Sequence, residues 1–333
     1  MNEIPAAIGL APDQVEGLLT AAGRAPSLHN SQPWRFRVTP HMIELFADRN
    51  RALPVIDPRG RELRLACGAA LFNVRLALHG YGVRPTVTIL PDPNRPDLIA
   101  EIRNGGSKAP TPEQQGLLRA VPLRRTNRHP FSDAEVSPSE LNALHRAALE
   151  ENAWLHFVQE HDERTNLQDM ASRAHRTQMG DPAFRTELAQ WTAVAPDRVD
   201  GVPASAGGPL PAPQHRWVHR DFTGAADART PAPPFEEEPV IAVLTAHLSG
   251  ERAEIQAGQA LQRVLLTATV EGLAVSFLSQ IVEVQQTREE LRRLVRGTHA
   301  PQAVLRIGHG WPVTATRRRQ ATDLLGPVPV SLS

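Results

Sequence analysis

Ala25-Pro-Ser-Leu-His-Asn-Ser-Gln-Pro-Trp34 packs Ser27, Asn30, Ser31 and Gln32 between two prolines. Before it, Val15, Leu18, Leu19 and Ala22 recur at helical spacing, which predicts a helix over residues 12–24. After it, Trp34-Arg-Phe-Arg-Val38 alternates as a half-buried strand does, with residues 43–46 as a partner strand. A rigid loop between helix and strand, rich in amides and hydroxyls and free of charge, suits the edge of a neutral heteroaromatic ring. A capped turn with no ligand has the same composition, so the loop alone leaves both readings open.

Residues 61–79 are apolar almost all round, as expected of a helix buried in the middle of a molecule. A strand follows at 83–90, and the Pro/Gly-rich stretch 91–112 reads as a connector. A second unit then opens with Ser137-Pro-Ser-Glu140, a capping box with proline at the first helical position. A strand is expected at 154–158 and helices at 162–179 and 182–192. Residues 193–238 show no lasting periodicity, and an insert of that length is either functional or disordered. From 240 to 307 the pattern alternates strand, helix, strand, helix, strand.

The two units share an order. A shift of 190 residues lays Gly68-Ala-Ala-Leu71 on Gly258-Gln-Ala-Leu261 and Gly82 on Gly272, and a shift of 120 lays Trp34–Val38 on Trp154–Val158. Helix, Trp strand, long buried helix, glycine and strand recur in that sequence, so duplication is the better account. The expected division is 1–115 and 116–333, with 193–238 a lid-like insert in the second half.

Bulk properties narrow the function. Lys+Arg and Asp+Glu both number 36 in 333 residues, which leaves no broad basic field for nucleic acid or acidic membranes. Cys67 is the only cysteine, so no disulfide framework forms within one chain, and a reducing cytoplasm is the expected home. The first ten residues lack the pattern of a signal peptide, and the most apolar windows are too short and too charged to span a bilayer. His215, His219 and Asp221 lie in a Pro-rich loop and are read as solvated, with no metal expected.

Local charge is a different matter. Leu123-Arg-Arg-Thr-Asn-Arg-His-Pro-Phe131 sets Arg124, Arg125, Thr126 and Arg128 ahead of a capped helix, the makings of a phosphate clamp or of a solvated basic turn. Arg317-Arg318-Arg319 in the tail completes an anion site if it folds back.

Taken in order, these motifs resemble the nitroreductase family. Pro26-Ser27-x-x-Asn30-x-Gln32-Pro33-Trp34 is similar to its flavin loop, and Arg124-Arg125-Thr126-x-Arg128 to its Arg-Arg-Ser-x-Arg opening. His29, Cys67–Asn73 and the extended middle resemble the Acg-like proteins of actinobacteria. The resemblance implies an α+β nitroreductase-like fold in which two fused half-units stand for the family homodimer, with one FMN per chain. It implies that Arg124, Arg125, Thr126 and Arg128 hold phosphate and ribityl, with Arg318 and Arg319 as further phosphate partners. Pro26, Ser27, Leu28, Asn30 and Gln32 would border the ring, Glu271-Gly272 would approach its N5, and His29 is a possible proton donor. It further implies NAD(P)H as donor and a nitro- or quinone-like acceptor, with FMN sequestration beneath the insert as the rival. One site is expected, because Pro12 to Trp34 spans 22 residues and Pro138 to Trp154 only 16, the loss falling where a second ring loop would be.

Overall fold

The computed structural model describes residues 3–210, 215–222, 234–247, 249–295 and 299–326. The first half runs α1 (Pro12–Gly23), β1 (Trp34–Thr39), β2 (Met42–Ala47), α2 (Arg61–Gly80), β3 (Val83–Ile89), β4 (Leu98–Ser107) and α3 (Pro112–Ala120). Its sheet is antiparallel in the order β1-β2-β4-β3. The second half runs α4 (Pro138–Leu149), β5 (Ala153–Phe157), α5 (His161–Gly180), α6 (Pro182–Trp191), β6 (Thr192–Val194) and β7 (Val202–Pro203). It continues with β8 (Val240–Ala246), α7 (Glu251–Val270), β9 (Ala274–Phe277), α8 (Gln280–Glu283), α9 (Gln285–Leu294), β10 (Ala300–Gly308) and α10 (Ala321–Leu324). Its main sheet is also antiparallel, in the order β5-β8-β10-β9.

The two sheets have one topology: strand, strand, long helix, strand, strand, with the last strand between the second and third. The long helices α2 and α7 occupy 61–80 and 251–270, the 190-residue shift of the sequence. They cross at their glycines. A Cβ on Gly68 would lie 2.1 Å from the Ile255 carbonyl oxygen, and one on Gly258 would lie 2.0 Å from that of Leu65. Ile255 is Leu65 shifted by 190, so the crossing is a pseudo-two-fold contact in which only glycine lets the backbones meet.

The cores interlock across the proposed 115/116 division. Ile255 of α7 lies in the core of the first sheet, and Leu65 of α2 in that of the second. The tail returns as well: Ala321 and Leu324 of α10 are buried against the first sheet.

Three features differ from the sequence reading. The stretch 91–112 contains β4, a central strand, whose polar Arg103-Asn-Gly-Gly-Ser107 end hides the alternation. α3 was not anticipated, although Thr111 and Gln114 form its capping box. The matched tryptophans face different ways: Trp34 is fully buried, whereas Trp154 is 42% exposed with its ring edge on His145. A shift of one residue in a strand changes which face a side chain takes, so strand order was conserved here and facing was not.

Part of the 193–238 insert, 211–214 and 223–233, lies outside the described residues. The rest is built into the body. β6 and β7 pair in parallel, Trp217 is fully buried, and Arg220 forms a buried ion pair with Glu283 at 2.7 Å. No helix among the described residues is long and apolar enough to cross a membrane.

Candidate functional site

A cleft enclosing about 1120 Å³, its open mouth included, lies between the halves. Its apolar wall is one face of α2, Leu65, Ala66 and Ala69, joined by Leu261 of α7. The loop between α1 and β1 gives Pro26, Ser27, Leu28, His29 and Asn30, and the segment before α4 gives Arg124, Arg125, Thr126 and Arg128. The tail adds Thr314, Thr316 and Arg318, the end of β9 adds Ser276, Phe277 and then Ser279, and the insert adds Arg220 and Phe222.

The loop holds its shape at a cost. His29, Asn30 and Gln32 sit at φ of 50°, 57° and 52°, a left-handed region that costs non-glycine residues about 1 kcal/mol or more each. Side chains secure it: Ser27 Oγ accepts from the Gln32 N–H at 2.9 Å, and Asn30 Nδ2 donates to the Gly201 and Arg317 carbonyls at 3.0 and 3.1 Å. Asn30 Oδ1 in turn accepts from Arg318. The loop, the insert and the tail therefore meet on one amide.

The arginines are the electrostatic feature. Burial first, then Arg124, Arg24, Arg125 and Arg128, push the Arg318 guanidinium well below its ordinary range, with no carboxylate among those neighbours. Arg124 is pushed down to about 10 by burial and then by Arg125 and Arg128. Arg124 Nε and Nη1 and Arg318 Nε are buried without a hydrogen-bond partner. Desolvated cations without counter-charge, with donors left over, suit a bound anion, and guanidinium forks suit phosphate. The segment is held by a parallel bridge from Thr126 to Val275 and by the Asn127 N–H on the Val275 carbonyl at 2.9 Å. On the other side, Gly208 packs against Arg128, where a Cβ would meet the Arg128 carbonyl oxygen at 2.3 Å.

Of the residues singled out by sequence, Pro26, Ser27, Leu28, His29, Asn30, Arg124, Arg125, Thr126, Arg128 and Arg318 come together here. Gln32 and Arg319 do not line the cleft. The Gln32 amide donates to the Val199 carbonyl at 2.8 Å and accepts from the Arg319 N–H at 2.9 Å, while the Arg319 guanidinium donates to the Trp34 carbonyl at 3.1 Å. Both tie the tail to the back of the loop. Glu271 and Gly272 are exposed and end α7, the glycine at φ +75° with open space around it. Gly82 ends α2 in the same way at φ +76°, so the glycine match marks a helix stop and no approach to the cleft. His29 is pushed down to about 3, chiefly by burial and then by Arg220, so it is a neutral wall and no cationic acid at physiological pH.

Other contributors carried no local signal. Arg24 ends a helix, Glu62 and Leu65 read as part of a buried helix, and Arg220 and Phe222 lie in an aperiodic insert. His215 accepts from the Trp217 and Val218 N–H groups at 3.2 and 2.9 Å, an ordinary loop cap. Among the described residues no group of three or more His, Cys, Asp and Glu is placed to hold a metal.

Comparison with known proteins decides the family. The chain is 32% identical over 324 residues to "Putative NAD(P)H nitroreductase Rv3131" of Mycobacterium tuberculosis, covering 94% of this chain and 91% of that protein. It is 31% identical over 318 residues to "Putative NAD(P)H nitroreductase acg" of the same organism, covering 94% and 95%. This chain belongs to the nitroreductase superfamily, with Acg-like relatives. No family model matches it. Among solved structures, a nitroreductase with bound FMN from Bacteroides fragilis is 13% identical, with a TM-score of 0.38, over 65% of this chain and 97% of that one. A nitroreductase with bound FMN from Desulfitobacterium hafniense is 15% identical, with a TM-score of 0.39, over 64% and 98%. The nitroreductase resemblance expected from residues 26–34 and 124–128 is thus borne out by relatives of nearly the full length.

Proposed function

We propose that this nitroreductase-superfamily protein binds one FMN in the cleft and works as an NAD(P)H oxidoreductase on small oxidants of the nitro or quinone class. The observation that carries the reading is the convergence of an uncompensated arginine cluster with a neutral loop and a flat apolar wall. The orphaned guanidinium donors of Arg124 and Arg318 fit a phosphate, and Leu65, Ala66, Ala69 and Leu261 fit the face of a ring. In this reading Arg124, Arg125, Arg128 and Arg318 hold the phosphate, Thr126 borders the ribityl chain, and residues 26–30 border the ring. FMN, when bound, supplies two-electron redox chemistry, and the chain orients it and sets the electrostatics around it. The halves 1–115 and 116–333 act as the two subunits of a family dimer within one monomer, and the cytoplasm is the proposed location.

A second reading has its own observation. Phe222 lies over the Arg128 guanidinium at 4.5 Å, and Arg220 is pinned to Glu283, so the described part of the insert walls the cleft and is anchored there. A fixed wall favours retention of FMN over turnover. One experiment separates the two: the visible spectrum of the anaerobic protein, before and after NADPH and then NADH. Yellow protein that bleaches supports the oxidoreductase, and the faster donor identifies the nicotinamide used. Yellow protein that stays yellow supports sequestration. Colourless protein that FMN does not reconstitute would refute both.

A further inference from the structure

Glu62 is the only carboxylate lining the main cleft among the described residues, and nothing above gives it a task. Its position follows from helix geometry. Residues 62, 65, 66 and 69 are spaced by three, four and seven, so they share one face of α2. The apolar wall made by Leu65, Ala66 and Ala69 therefore ends, one turn toward the helix start, in a carboxyl group that is 12% exposed. Its neighbour Arg61 pairs with it and donates to the Gln302 carbonyl at 2.8 Å.

Glu62 and the arginine cluster keep different company. The charges acting on Glu62 are Arg61 of its own helix, Asp57 of the preceding loop, Glu283 of α8 and Arg288 of α9. Those acting on Arg318 are Arg124, Arg24, Arg125 and Arg128. Arg220, which also lines the cleft, is paired with Glu283. Burial is the main force on Glu62 and pushes it up to about 7. Arg61 and Arg288 oppose that rise, and the carboxylates of Asp57 and Glu283 add to it. Glu283 itself is held down to about 2, against its own burial, chiefly by Arg220, and it stays ionised. Burial, with Asp57 and Glu283 adding to it, favours the protonated form of Glu62 against the pull of Arg61, and a general acid is most effective when it titrates near the working pH.

We propose that Glu62 is a catalytic residue, the proton donor to the oxygen of a quinone-class acceptor bound in the cleft. The proposal rests on the flavin reading above. Reduction of a quinone to a hydroquinone takes two electrons and two protons. The acceptor receives both electrons and one proton as a hydride from reduced FMN. The second proton comes from Glu62: its O–H bond breaks as an O–H bond to the acceptor forms. The carboxylate left behind recovers a proton from water at the mouth of the cleft.

The test uses the full-length protein reconstituted with FMN, with Glu62→Gln and Glu62→Asp as variants. An infrared pH titration, which needs no turnover, should show a carboxylic-acid carbonyl band that fades as pH rises through about 7 and is missing from Glu62→Gln. In turnover, wild-type kcat/KM for a quinone should fall above that pH. Glu62→Gln should lose this limb and about 10²–10⁴-fold in rate, the usual worth of a general acid. Glu62→Asp should restore the limb at reduced rate, and it carries the test alone if the glutamine variant fails to fold. Ferricyanide takes electrons without a proton, so the quinone-to-ferricyanide rate ratio should drop in Glu62→Gln by about the same factor. An unchanged ratio, or a band that survives in Glu62→Gln, overturns the proposal while yellow, ferricyanide-reducing protein leaves the flavin reading intact. Protein that takes up no FMN refutes the flavin reading itself, and this proposal with it.

Discussion

The two halves share a topology but use it differently, and the difference lies at the connections. In the first half, α1 reaches β1 through residues 24–33, the strained loop that borders the cleft. In the second, α4 reaches β5 through residues 150–152 alone. On that short turn Glu151 is almost fully buried and bonded to Arg75 at 2.7 Å and to Arg263 at 3.4 Å. The helix faces differ to match. Under the 190-residue shift, Glu62, Leu65, Ala66 and Ala69 become Arg252, Ile255, Gln256 and Gln259. Gln256 donates to the Glu151 carbonyl at 2.9 Å, and Gln259 accepts from Arg75 at 2.7 Å. An apolar wall on one side has become a hydrogen-bonded polar plug on the other. The turn between β1 and β2 is likewise matched by the whole of residues 158–239 between β5 and β8, which supplies Arg220 and Phe222 to the surviving cleft. A duplicated scaffold thus yields one cleft because loops diverge more easily than the helix crossing that both halves need.

The largest effect should come from opening the plug. Glu151→Ala removes the buried carboxylate that Arg75 and Arg263 share, leaving Gln259 on Arg75 and the exposed Glu113 on Arg263, and should cost about 3 kcal/mol in denaturant unfolding. Flavin stoichiometry should stay at one per chain, and a variant that took up two would show that the second site is merely blocked. Next, Gly68→Ala and Gly258→Ala press a methyl into a facing carbonyl and should each cost about 1–3 kcal/mol, equally if the crossing is symmetric. Unequal melting shifts would break the pseudo-two-fold account. Gly116→Ala in α3 is the control: its Cβ meets nothing within 4 Å, so helix propensity alone should give up to about 1 kcal/mol of added stability. For the cleft, Arg128→Ala should weaken FMN by about 1.5–3 kcal/mol, roughly ten- to hundred-fold, in a fluorescence titration. The same change at Arg75 should leave FMN affinity as it was, because that arginine belongs to the plugged side.

Much of this was legible along the chain. Both long helices, their 190-residue shift and seven of the ten strands among the described residues follow from periodicity, because a buried helix or half-buried strand imposes its period on nearby residues, whereas β6 and β7 are too short to show one. β4 escaped because its last five residues are polar or glycine, and α3 because a short capped helix sits among prolines. Within the cleft, residues 26–30 and the pair Arg124 and Arg128 were legible because each motif is local. Arg318 and Arg319 are equivalent phosphate partners along the chain, and only Arg318 lines the cleft. In the tail, adjacent arginines take opposite sides, one to Asn30 in the cleft and one to the Trp34 carbonyl behind it.

The sequence alone determined which family this chain joins and which local motifs it carries, since capping, periodicity and loop chemistry act over a few residues. Only the tertiary structure decided that Arg318 meets Arg124, that Glu62 closes an apolar wall, and that Glu151 is buried on Arg75 and Arg263. Those outcomes depend on contacts between residues far apart in the chain, and on a desolvation that exists only once the halves have packed.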